Sequence, residues 1–186
     1  AVEATSRQEG EETITYIQTP TGHLLQRYRR TEITGTTVEF PCKNADDVEA
    51  YLSIPFVAAE PRAAAFVEQR ARVGEDALLL AGIGDAICFP ATILSPEDLC
   101  LLWMDDPDLL RACVEAAHDR LLDYVEAACR AGVDAFRIVG GEYATEQLGP
   151  AGFDALVKPW DTELVAVIHQ HGALAYYHNH GYVDTY

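Results

Sequence analysis

His169-Gln-His-Gly172-Ala-Leu-Ala-Tyr-Tyr-His178-Asn-His180-Gly181 is the stretch on which the fold turns. It reads as the last turn of a helix, a glycine stop at Gly172, a short buried strand, and then His178 and His180. Residues two apart on a strand point the same way. If the strand runs through His178, both imidazoles share one face at its C-terminal end. In a parallel α/β protein that is the end where ligands bind.

Working back along the chain, the same pattern recurs. Asp161–His171 is helical, continuing from Phe153–Val157 with Pro159 as the break or restart. His169 and His171 fall at the helix C-terminus, where an imidazolium meets the dipole favourably. Val133–Val139 reads as a strand that runs into Gly140-Gly-Glu142-Tyr143. Before it, Pro107 opens a long helix whose stripe of Leu110, Cys113/Val114, Ala117, Leu121, Tyr124/Val125 and Ala128 holds helical period for five turns, until Gly132. His118 stands one step off the stripe and reads as a surface or boundary histidine. Ser95-Pro-Glu-Asp98 is a helix start with an N-cap serine, a proline at the first position and an acid three residues on. Ala77–Ala81 is an apolar run bounded by turn signals, as expected of a strand covered on both faces. Helix signals also stand at Asn44-Ala-Asp-Asp47, running to about Ser53, and from Pro61 to about Arg72, closed by Gly74. The strand–helix alternation implies right-handed βαβ units and a parallel sheet with strands near 77, 135 and 174.

Residues 1–43 differ. Thr13–Gln18 and Leu24–Thr31 alternate on either side of Thr19-Pro-Thr-Gly22, which has turn chemistry. An antiparallel hairpin is expected, with a third strand near Thr37–Phe40 and an earlier one over Ala1–Arg7, before a turn at Gly10. Arg27, Arg29 and Arg30 read as a solvated strand face. The chain opens without a methionine and in mid-pattern, so it reads as a fragment.

The 186 residues are enough for one core. Thirteen basic and thirty acidic residues give a formal charge of −17, which disfavours nucleic acid and anionic membranes as partners. No apolar run approaches the roughly 20 residues of a membrane span. With no signal peptide pattern, a cytoplasmic location is expected. Five cysteines (Cys42, Cys88, Cys100, Cys113, Cys129) form no CxxC pair, and Cys113 and Cys129 fall on a helix stripe as small hydrophobes. No cysteine is expected at a strand end facing the ligand-binding end, so no cysteine–histidine nucleophile emerges.

Taken in order, Thr19-Pro-Thr-Gly22, Thr34-Gly35-Thr36, the helix start from Lys43 to Tyr51, Ser95-Pro-Glu-Asp98, Asp105-Asp-Pro107, Gly141-Glu-Tyr143 and His178-Asn-His-Gly181 resemble the uroporphyrinogen decarboxylase superfamily. The likeness is closer to its methyltransferase-like branch than to the haem-pathway decarboxylase, and it spans essentially the whole chain. It implies a (β/α)8 barrel, which needs about 250 residues. The chain would then be one incomplete barrel domain: a β-hairpin excursion over 1–43 and βα units over 44–186, with the first strand and the last third missing. Bare sheet edges invite pairing, so a second copy or further chain is expected to cover them.

The resemblance also implies a chemistry. In the methyltransferase branch a His-x-Cys-Gly strand end binds zinc with a later cysteine, and the zinc activates a thiol acceptor. Here His180 stands where the family has cysteine; imidazole is also a good zinc ligand, while the metal expected shifts toward a harder, nitrogen- and oxygen-ligated ion. His178 and His180 are then candidate metal ligands. Glu142 is a candidate third ligand, general base or partner that orients an imidazole. The two glycines before it signal a close approach to the backbone. Asp85, after Gly82-Ile-Gly84, is a candidate catalytic residue at the comparable strand end, against the plainer reading of a solvated turn aspartate. The function implied is methyl transfer from a methyl-corrinoid on a partner protein to a thiol or folate acceptor. Decarboxylation of a tetrapyrrole, using Asp85, is a second reading; a non-catalytic barrel that binds a corrinoid or partner is a third.

Overall fold

Alternation over residues 4–39 builds an antiparallel meander of β1 (Ala4–Glu9), β2 (Glu12–Thr19), β3 (Gly22–Arg30) and β4 (Gly35–Glu39), paired in chain order. The structure is a computed structural model that describes residues 3–56, 63–140, 147–179 and 181. A positive φ of 60° at Gly10, open to glycine without strain, turns β1 into β2. Arg27 and Arg29, two apart on β3, both reach Glu12 on the neighbouring strand, at 3.1 and 2.5 Å. The Arg29 guanidinium holds the Glu12 carboxyl below its usual range, and Arg27 adds to this. The basic cluster is thus a solvated strand face, as expected.

The helices are α1 (Ala45–Leu52), α2 (Ala63–Val73), α3 (Cys88–Ile93), α4 (Pro96–Asp105), α5 (Pro107–Arg130), α6 (Gly149–Leu156) and α7 (Lys158–Gln170). Asn44 caps α1, its side chain accepting the Asp47 amide at 3.0 Å, and Ser95 caps α4 by accepting the Asp98 amide at 3.1 Å. Both caps lie where the sequence signals them. The short helix α3 was not expected. Among the described residues no helix is long and apolar enough to cross a membrane.

The chain divides into two compact units, Ala1–Val57 with Pro90–Leu110, and Ala58–Phe89 with Arg111–Tyr186. The first holds the meander, α1 and α4. In it the Cys42 amide donates to the Ile93 carbonyl at 2.9 Å, and Cys42, Val48, Leu94 and Leu99 are fully or almost fully buried.

The second unit is built on a parallel sheet of β5 (Leu80–Gly84), β6 (Ala135–Val139) and β7 (Leu174–His178), in that order. Neighbours in the chain are neighbours in the sheet, as successive βαβ units require. The first of these strands starts later than the apolar run at 77–81 suggests. Pairing with β6 sets its bounds: Leu80 meets Ala135 and Gly84 meets Val139. Leu79 instead closes the strand's entry, its amide bonded to the Asp134 carboxylate at 2.6 Å and its carbonyl to the Asp134 amide. Leu78 is left 67% exposed.

One sheet face carries Ala81, Phe136, Ile138 and Ala175, packed with Val125 and Ala128 of α5, Leu164 and Ile168 of α7, and Phe66 of α2. Register and alternation put Gly82, Gly84, Arg137, Val139, Tyr176 and His178 on the other. His118, expected at the surface or boundary, is instead 2% exposed. Its ring packs tilted on Trp160 with centroids 5.2 Å apart, so the apolar stripe of α5 is wider than its strict period and takes in the next position. Burial pushes the Cys113 thiol up to about 12 and raises Cys129 as well, in line with their reading as small hydrophobes.

Candidate active site

His178 is the last residue of β7, opposite Val139 in the register, at the C-terminal end of the sheet. Its place on the face away from the helices follows from the strand parity. The Tyr176 hydroxyl, two residues back on the same face, is 3.5 Å from His178 Nδ1, and the two rings are tilted with centroids 6.2 Å apart. Glu142, Tyr143 and His180 lie outside the described residues. Among the described residues no group of three histidine, cysteine, aspartate or glutamate side chains is placed to hold a metal ion. Of the expected ligands, His178 alone can therefore be located. An imidazole at a strand end is a donor that suits zinc or a harder divalent ion.

Asp85 immediately follows β5, and its amide donates to the Val139 carbonyl at 3.0 Å, so it does stand at the strand end. It is not a solvated turn aspartate, being 4% exposed. One carboxylate oxygen accepts the Cys88 amide at 3.2 Å, and the other accepts from the Tyr177 hydroxyl at 2.9 Å. Strand parity explains the difference. Position 85 continues the side of Ala81 and Ile83, which faces the helices, so its carboxylate points away from the face that carries His178.

Tyr177, 37% exposed, and Asp161, half-buried, complete the cluster around Asp85, and no local sequence pattern marks either. Tyr177 precedes His178 and so projects to the opposite face of β7. Its hydroxyl also lies 2.6 Å from an Asp161 carboxylate oxygen in the first turn of α7. Burial, and then the Asp85 charge, push the Asp161 carboxyl up to about 7, the Tyr177 hydrogen bond acting the other way. Burial and the two carboxylates raise the Tyr177 phenol as well. One signal for the cluster was in the sequence: the glycine pair at 140 and 141. A side chain at Gly140 would fall on the Asp85 carboxyl group, so the close approach at Gly140 is made by Asp85.

One cysteine lies near this end of β5, in the first turn of α3. Cys88 follows β5 by four residues, and its thiol donates to the Val139 carbonyl at 3.3 Å.

With this geometry in hand, comparison with known proteins is informative. The sequence model of the uroporphyrinogen decarboxylase (URO-D) family matches residues 17–185. No curated protein matches the chain. A methyltransferase from Methanosarcina mazei has a similar fold, with a TM-score of 0.56 at 16% identity, over 80% of this chain and 44% of that one. The chain thus spans less than half the length of that methyltransferase.

Proposed function

Because the chain belongs to the uroporphyrinogen decarboxylase family, we propose that it is part of a (β/α)8 barrel of the methyltransferase-like branch. Its reaction, in this reading, is metal-assisted transfer of a methyl group from a methyl-corrinoid, carried by a partner protein, to a thiol or folate acceptor. The observation that carries this is the place of His178, at the C-terminal end of a parallel strand and on the face away from the helices. Barrel enzymes keep their chemistry at that end. The methyltransferase from Methanosarcina mazei supports the choice of branch.

His178 and His180 would hold the metal, with Glu142 as third ligand or as base. A bound zinc or similar ion lets a thiol acceptor lose its proton at neutral pH. Glu142, or solvent, would take that proton, and the corrinoid on the partner protein would supply the methyl group that the sulfur accepts. Asp85 has less support as a catalytic group, since both its carboxylate oxygens are engaged inside the protein. The tetrapyrrole decarboxylase reading, which leans on Asp85, is weaker for that reason. Bare edges at β5 and β7 would be covered by further barrel strands or a second copy.

An assay with methylcobalamin as donor and a simple thiol as acceptor tests this on the full-length protein. Methylated thiol should form, and His178→Ala should lower its rate more than about 100-fold, as loss of a metal ligand does. Cobalamin binding without methyl transfer would favour a non-catalytic binder. Carbon dioxide release from a tetrapyrrole by metal-free protein would favour the decarboxylase.

A further inference from the structure

Three oxygens meet at the Tyr177 hydroxyl, and their protons can be counted. Tyr177 lies 2.9 Å from Asp85 Oδ2 and 2.6 Å from Asp161 Oδ2, both hydrogen-bonding distances. A phenol has one proton to donate and can satisfy one of these contacts as donor. The other contact would set lone pair against lone pair unless a carboxyl group brings a second proton. Two like charges brought this close to one hydroxyl likewise cannot both persist cheaply.

We propose that Asp85, Tyr177 and Asp161 form a latch closed by one shared proton. It ties the C-terminal end of β7, and with it His178, to the loop after β5 and to the first turn of α7. Loss of the proton opens one of the two hydrogen bonds.

The surroundings fit a latch that holds one proton. From the loop after β5 comes Asp85, fixed by the Cys88 amide and by its own amide on Val139. From the end of β6 comes Gly140, which has no side chain and so leaves room for the Asp85 carboxyl group. From α7 comes Asp161; the nearby Glu163 turns to His118 of α5, 3.1 Å away. The Cys88 thiol turns to the Val139 carbonyl. Among the described residues the charges acting on Asp161 and Tyr177 are those of the trio itself, and the rise of Asp161 to about 7 agrees with a proton retained at neutral pH. The latch does not depend on which reaction the barrel catalyses.

The sign of the pH effect follows from linkage. Asp161 has its carboxyl raised from an ordinary value of 3.8 to about 7 in the folded chain. Its contribution to stability is complete below the ordinary value and is lost as pH rises toward about 7. Above that midpoint the latched form becomes roughly tenfold rarer per pH unit.

Carbon-13 NMR of aspartate-labelled full-length protein reads the proton directly. One carboxyl signal of the folded protein should titrate near pH 7 and vanish in Asp161→Asn. Amide exchange at Tyr177 and His178, corrected for the intrinsic rate, should rise above that pH in the wild type but not in Tyr177→Phe, where the hydroxyl is gone throughout. If every aspartate of the folded wild type titrates below pH 5, the latch is wrong. Corrected exchange at Tyr177 and His178 that does not change from pH 6 to pH 9 would overturn it equally, and neither measurement needs a variant that folds.

Discussion

At His118 the two ring nitrogens have different fates. Nε2 lies 3.1 Å from a Glu163 carboxylate oxygen and donates to it, while Nδ1 is buried with no partner among the described residues. The Trp160 ring nitrogen beside it is also buried without one. Glu163 is 59% exposed, and a pair open to solvent on one side contributes little. His118 therefore matters mainly as volume beneath Trp160. His118→Ala should cost about 2–3 kcal/mol through the cavity it leaves, whereas His118→Leu should stay within about 1 kcal/mol of wild type because it fills the space and removes the unpaired Nδ1. Urea denaturation midpoints check both; a leucine variant as unstable as the alanine variant would assign the stability to the Glu163 bond. Burial of His118 is not legible in strict helical period, because Trp160 widens the buried face of α5 by one position. The Asp85–Tyr177–Asp161 cluster was hidden for a different reason. Its bonds join residues 92 and 16 apart in sequence, and no local pattern reports such a meeting.

Elements were more legible than residues wherever a start or stop is chemical. Ser95 and Asn44 cap helices as their spacing foretells, because a side-chain oxygen there satisfies an amide that the helix leaves open. Ser95→Ala should cost about 1 kcal/mol in thermal or chemical denaturation, and Ser95→Gly only a few tenths. Positive φ at Gly74, Gly132 and Gly172 marks three ends that the sequence also signals. Strand bounds were less legible, since a strand begins where its partner begins. Apolar character placed the first parallel strand at 77–81, and pairing with Ala135–Val139 placed it at Leu80–Gly84. That three-residue shift carries Gly82 and Gly84 into the sheet and brings Asp85 to its edge.

For the molecule as a whole, the order of elements was the readable part. Strand and helix alternation gave a parallel sheet in chain order, and the ordered motifs gave a family that the match over residues 17–185 bears out. Parity of the last strand then divides two chemistries that the sequence set side by side. Tyr177 goes to the Asp85 and Asp161 carboxyls and His178 to the other face, the one on which the proposed methyl transfer would take place. The central claim, that His178 is a metal ligand, is tested most directly by metal analysis of the full-length protein purified without added metal. Stoichiometric zinc or a similar divalent ion is expected, lost in His178→Ala while the far-ultraviolet circular dichroism stays that of the folded protein. A folded wild type that contains no metal, and whose melting temperature does not rise when zinc is added, would contradict it.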